Sequence, residues 1–208
     1  MPTLETFVLI IVFLLTSIIS VVTGSTSLIT VPVMFQFGID PRGAIATNMF
    51  ALTFMSVGGA LPFLRTGVID RTRLPWLIGL TIVGSALGAV LVLATPAQAV
   101  PLIVSLAMIA IVVFSLIKHE AGVERSQATP SLLAEYAGYA GTFALGIYGG
   151  FFSGGYVTLL TAISIALFRM TFVEAVAITK VINIFSSAVA TLTFMGRGFV
   201  DYRLGLML

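Results

Sequence analysis

Gly24-Ser25-Thr26-Ser27-Leu28-Ile29-Thr30 opens a 47-residue stretch, ending at Asp70, that recurs from Gly155 to Asp201. Aligned without gaps, the copies match at Gly24/Gly155, Leu28/Leu159, Thr30/Thr161, Phe37/Phe168, Ala44/Ala175, Ala46/Ala177, Phe54/Phe185, Ser56/Ser187, Leu61/Leu192, Phe63/Phe194, Gly67/Gly198 and Asp70/Asp201. Each copy begins in a hydrophobic segment interrupted by glycine. Duplicated halves with such interruptions at corresponding places point to a transporter whose site lies between the repeats.

Composition sets the class. Of 208 residues, 59% are hydrophobic and 9% charged, and the mean hydropathy is +1.16. A soluble domain carries about 25% charged residues, so this chain cannot cover a water-facing surface. A net charge of +2 argues against nucleic acid, and the absence of cysteine excludes disulfides and thiolate chemistry. The N-terminus has Glu5 but no early Lys or Arg, and no A-x-A site follows the apolar run; it reads as an uncleaved first span.

Lipid offers no partner for open backbone, and alternating barrel strands are absent, so the chain reads as helical throughout. Segment one runs 7–38 with a break near Val22–Ser27, and segment two 43–64. No charge occurs between Arg73 and Lys118; a span needs about 20 residues, so this gap holds segments three (74–94) and four (97–117). Segment five covers 132–168, broken at Gly149–Gly155, and segment six 172–195. The expected organisation is a first repeat over 1–117, a polar cytoplasmic linker over 118–130 and a second repeat over 131–208.

The second copy ends soon after Asp201, whereas the first continues into two further spans. Symmetry therefore leads us to expect eight transmembrane segments in the complete unit, of which six to seven are present. The connections after segments two, four and six carry Arg65, Arg71, Arg73, Lys118, Arg125, Arg197 and Arg203, against Arg42 and Arg169 after segments one and five. The positive-inside rule then puts the first group in the cytoplasm. Corresponding loops on one side imply parallel repeats. Should segments one and five re-enter, this reading expects only the N-terminus to change sides.

Two groups of residues could carry chemistry. The first is Gly24, Ser25, Thr26 and Ser27 with its counterpart Ser153, Gly154, Gly155, Tyr156 and Thr158. An unbroken helix of 30 residues would be about 45 Å long, beyond a ~30 Å hydrocarbon core. A break exposes the N-terminus of the second half, whose N–H groups and partial positive charge suit an anion. Hydroxyls at the break add donors. The plainer alternative is close helix packing through small residues. The second group is Thr47 and Asn48 in segment two, with Thr179, Lys180 and Asn183 in segment six. A cation about eight residues into a span costs roughly 3 kcal/mol unless it faces a polar cavity; snorkelling is the alternative. Asp70 and Asp201 read as caps of the helices that follow. No catalytic triad, phosphate loop or metal cluster is visible, so neither enzyme activity nor a cofactor is expected.

These residues resemble the TauE/SafE sulfite-exporter family of prokaryotic membrane proteins. The likeness rests on the break leading to Val31–Pro32, the Ala44–Asn48 run, Gly67-Val68-Ile69-Asp70, and the second-half echo of each. It covers essentially the whole chain, although the first break is poorer in glycine than the family's usual run. The resemblance implies about eight helices in two halves. It also implies transport of sulfite, sulfonates or other small sulfur-containing anions across the cytoplasmic membrane.

The expectation is a secondary transporter, an exporter, binding its oxyanion at the broken-helix ends by alternating access. An anion channel of the same fold and a non-transporting membrane assembly protein are the alternatives. Expected partners are a small inorganic or organosulfur anion and the lipid bilayer, with a homodimer as a further option and no nucleic acid.

Overall fold

The structure, a computed structural model, describes residues 3–23, 26–64, 67–117 and 130–208. Among them are nine helices: α1 (Thr3–Thr23), α2 (Ser27–Gln36), α3 (Pro41–Leu64), α4 (Leu74–Ala94), α5 (Val100–Ile117), α6 (Leu132–Phe151), α7 (Tyr156–Phe168), α8 (Phe172–Met195) and α9 (Tyr202–Met207). α3, α4 and α8 are long and apolar enough to cross a membrane. Residues such as Leu106 and Ile109 on α5 and Leu132, Leu133 and Tyr136 on α6 are exposed, as lipid-facing positions should be. The all-α membrane fold is as expected. The linker lies almost wholly outside the described residues.

The duplication is visible in the backbone. α3 and α8 have bounds offset by the repeat interval at both ends, and each of their preceding half-helices ends on a left-handed residue, Gly38 (φ 71°) and Arg169 (φ 58°). Hydrogen bonds repeat too. Thr30 Oγ1 donates to Asn48 Oδ1 at 2.8 Å, and the equivalent Thr161 and Thr179 hydroxyls meet at 3.2 Å. Asp201 caps α9 as expected, whereas Asp70 accepts from the Thr72 and Arg73 N–H groups in the turn before α4, whose N-cap is Arg73. A left-handed L-residue costs about 1 kcal/mol that glycine avoids. Arg169→Gly should therefore raise the melting temperature by up to about 4 °C for a chain of this size; a lower melting temperature would contradict the argument.

Helix direction overturns one expectation: the repeats are inverted, not parallel. Arg42, at the start of α3, donates from Nε to the Thr95 carbonyl at 3.0 Å and lies over the Phe199 ring beyond α8. Further along, Thr53 meets Thr191 and Ser56 meets Asn183. Positions that rise along α3 fall along α8, so these equivalent helices run antiparallel. At the other end, Arg73 bonds Glu135 at 3.0 Å, pairs with Asp70 at 3.1 Å and lies over the Phe168 ring. Burial pulls the Arg73 guanidinium down, but its bond to Glu135 and the charges of Asp70 and Glu135 outweigh this and hold it above its ordinary range.

The physical reason is that segments one and five fold back. Phe168, at the end of α7, packs on Tyr139 near the start of α6, while Leu9 and Phe13 of α1 cluster with Met34 near the end of α2. Each broken segment is thus a helical hairpin entering and leaving at one end. That removes one crossing per repeat, and an odd number of crossings inverts the second copy. The connection after segment six therefore lies at the Arg42 end, opposite the connection after segment two. The expected grouping of loops after segments two, four and six on one side fails for that reason.

Close packing holds the second hairpin. Gly84 and Gly88 of α4 face Gly146 and Gly150 of α6, and Ser85 donates to the Gly146 carbonyl at 3.2 Å and meets Ser186 of α8 at 2.7 Å. Two four-residue small-residue spacings facing one another let the backbones touch.

Candidate functional site

The two hairpin turns, entering from opposite ends, meet at the centre. Ser27 Oγ, at the start of α2, lies 2.6 Å from Ser153 Oγ, just before α7. Asn48 of α3 secures this point, donating from Nδ2 to Ser27 Oγ at 2.8 Å while accepting from Thr30. The second turn is shaped by Gly155 (φ 74°), where a Cβ would fall 2.5 Å from Ile111 Cδ1. Left-handed backbone and lack of room both require glycine there. Tyr148 donates its hydroxyl to the Gly154 carbonyl and closes the turn.

Beside this junction is a cavity of about 20 Å³ lined by Thr26, Ser27, Leu52, Met55, Ser56, Ser153, Val157, Lys180 and Asn183. Lys180 is the one charged side chain in that lining, and it is only 6% exposed. From the start of α8 it is about 12 Å deep. Gly59 of α3 leaves room for its stem, a Cβ there standing 3.7 Å from Lys180 Cδ. Asn183 Nδ2 donates to Ser56 Oγ at 2.7 Å, so amide and hydroxyl form one wall. Leu52, Met55 and Val157 form an apolar one. The first turns of α2 and α7 both end here, each bringing backbone donors and a partial positive charge. Lysine, hydroxyls, amide and two helix starts make this lining rich in hydrogen-bond donors, chemistry that can receive an anion. Its volume holds about one water molecule, and a larger cleft of about 310 Å³ adjoins it at Thr26, Leu52 and Met55.

Of the sequence candidates, Thr26, Ser27, Ser153, Lys180 and Asn183 line the cavity, and Asn48 supports it from behind. Gly24 and Ser25 lie outside the described residues. Thr47 turns elsewhere, accepting from the Asp201 backbone N–H at 3.1 Å and holding the start of α9 to α3. Gly154 and Gly155 build the turn. Tyr156 is fully buried, its ring against Gly149 and among Leu77, Leu160 and Ile178, away from the lining. Thr158 and Thr179 are also outside the lining; Thr179 belongs to the clasp with Thr161.

Ser56, with Leu52 and Met55, was missed. A signal existed: Asn48, Leu52 and Ser56 share one helical face, and Ser56 is a repeat identity. Lys180 and Asn183 correspond in the first repeat to Met49 and Leu52. The cationic and amide side of the site is therefore supplied by the second copy alone.

Comparison with known proteins gives one consistent result. Residues 9–208 match the family described as Sulfite exporter TauE/SafE. The chain is 28% identical over 201 residues to the "Probable membrane transporter protein YfcA" of Escherichia coli K12, covering 97% of this chain and 74% of that one. It is 25% identical over 193 residues to a "Probable membrane transporter protein" of Haemophilus influenzae, covering 92% and 74%. It is 29% identical over 195 residues to the "Probable membrane transporter protein ORF9" of a Sinorhizobium species, covering 90% and 71%. No solved structure matches the chain.

Proposed function

The chain belongs to the sulfite exporter TauE/SafE family, and from that membership we propose that it is a secondary transporter, an exporter, of small sulfur-containing oxyanions such as sulfite or sulfonates. The anion occupies an expanded form of the central cavity, with Lys180 as its counter-charge. Hydroxyls of Thr26, Ser27, Ser56 and Ser153 and the Asn183 amide donate to its oxygens.

The observation that carries the reading is the convergence of two half-helix starts on a buried lysine, with no carboxylate in the cavity lining. Aspartate or glutamate would be the expected ligands of a cation. Relatives named as membrane transporters support transport rather than catalysis.

The Arg73 end faces the cytoplasm in this reading. Arg65, Arg71, Arg73, Lys118, Arg125 and Arg169 belong to connections at that end, against Arg42, Arg197 and Arg203 at the other. The excess survives the inversion of the repeats and satisfies the positive-inside rule.

Radiolabelled sulfite exchange in proteoliposomes tests the function. Saturable uptake accelerated by unlabelled sulfite on the far side is the expected result. Unsaturable single-channel current carried by sulfite would replace the carrier with a channel, and no flux of sulfite or methanesulfonate would end the proposal.

A further inference from the structure

We propose that the Ser27–Ser153 contact is the latch of the transport gate, and that it must open for an anion to enter or leave the central site. This rests on the transport reading and assigns the moving part of that same site.

Three observations lead to it. The turns joined by the two hydroxyls belong to hairpins that enter the protein from opposite ends, so each covers the cavity from a different side. Both hydroxyls line the cavity, and both side chains are buried. The space between them is about 20 Å³, room for one water and far less than a pyramidal or tetrahedral oxyanion needs. Loading therefore requires the lining to part, and the 2.6 Å contact joins the start of α2 to the segment before α7 directly across it.

The chemistry suits a reversible latch. A net hydroxyl–hydroxyl bond contributes about 1 kcal/mol, small enough to break in each cycle. Either Ser27 or Ser153 can redirect its hydroxyl to an anion oxygen once separated, so the ligand supplies the bond that opening removes. Asn48 keeps Ser27 oriented throughout, because its amide bonds both Ser27 and Thr30 of the same half-helix. The first turn of α2 is thereby stiffened and moves as a unit.

The chain has no cysteine, which allows a clean test with the double variant Ser27→Cys/Ser153→Cys. Side chains whose terminal atoms touch are within reach of the Cβ separation a disulfide needs, about 3.5–4.5 Å. Under copper-phenanthroline the double variant should cross-link, and sulfite exchange should fall at least tenfold. Dithiothreitol should restore it, and neither single variant should respond to the oxidant. Amide hydrogen exchange over residues 26–31 gives a readout without substrate: oxidation should slow it at least tenfold. Cross-linked protein that exchanges sulfite at the reduced rate would overturn the latch. So would cysteines that never cross-link. If the reduced variant and the native chain both fail to move sulfite while oxidation still slows amide exchange, the latch stands and the assigned transport activity falls.

Discussion

Gly150→Leu should abolish the folded protein: in detergent extracts the monodisperse peak of a fluorescent fusion is expected to disappear, leaving no cooperative melting transition. The cause is backbone meeting backbone. A Cβ at Gly150 would stand 2.1 Å from the Ser85 carbonyl oxygen, and one at Gly88 would stand 2.0 Å from that of Ile147. Ordinary overpacking costs about 1–3 kcal/mol because side chains can yield, but these obstacles are main-chain atoms of two helices. Relief requires α4 and α6 to separate, which also removes the Ser85 bonds to Gly146 and Ser186. Even Gly150→Ala should lower the melting temperature by roughly 10 °C, the equivalent of about 4 kcal/mol in a domain of this size. Gly58 is the control, since a Cβ there meets nothing within 4 Å. Gly58→Ala should melt at or slightly above the native temperature. Native-like melting of both Gly150 variants would show that the close α4–α6 contact does not exist.

Lys180→Met should fold normally and lose the anion. Methionine occupies the equivalent place in the first repeat, at Met49, which is fully enclosed in α3's core contacts. Removing a buried cation also removes its desolvation cost, which offsets the contacts the lysine loses. The bound anion, however, loses its counter-charge. Hydrogen bonds to charged groups contribute about 1.5–3 kcal/mol, which corresponds to roughly 10- to 100-fold in affinity. The measurement is the rise in melting temperature with added sulfite, which follows the logarithm of ligand concentration over its dissociation constant. Native protein should be stabilised progressively, and the variant should need at least tenfold more sulfite for the same rise. An unchanged sulfite response would remove Lys180 from the site.

Much of the fold was legible because lipid leaves few choices. The helix bounds expected for segments three and six coincide with those of α4 and α8, since charges and turn residues punctuate apolar runs clearly. The breaks in segments one and five were visible as glycine and hydroxyl clusters. That Lys180 and Asn183 would line a polar cavity was legible because a lysine that deep in a span is costly unless such a cavity receives it. Thr47 could not be distinguished from Asn48 by spacing alone, although one holds the start of α9 and the other holds Ser27. Tyr156 was read as lining the site, yet its aromatic ring found more contact among Leu77, Leu160 and Ile178.

By itself, the order of residues determined a membrane-embedded, all-helical chain with a duplicated unit, a pair of broken segments and one deep cation. These are local or compositional properties: hydropathy, periodicity and the backbone demands of glycine. Tertiary structure decided the direction of each half-helix after its break. A break is compatible with continuing across the membrane or turning back, and the difference lies in what the second half packs against. Phe168 returning to Tyr139, and Met34 to Phe13, makes hairpins of both segments. That single choice inverts the repeats, moves the last connection to the opposite end, and brings Ser27 against Ser153 across 126 residues of chain. Contacts of such separation leave no periodic trace in sequence, because nothing local depends on them.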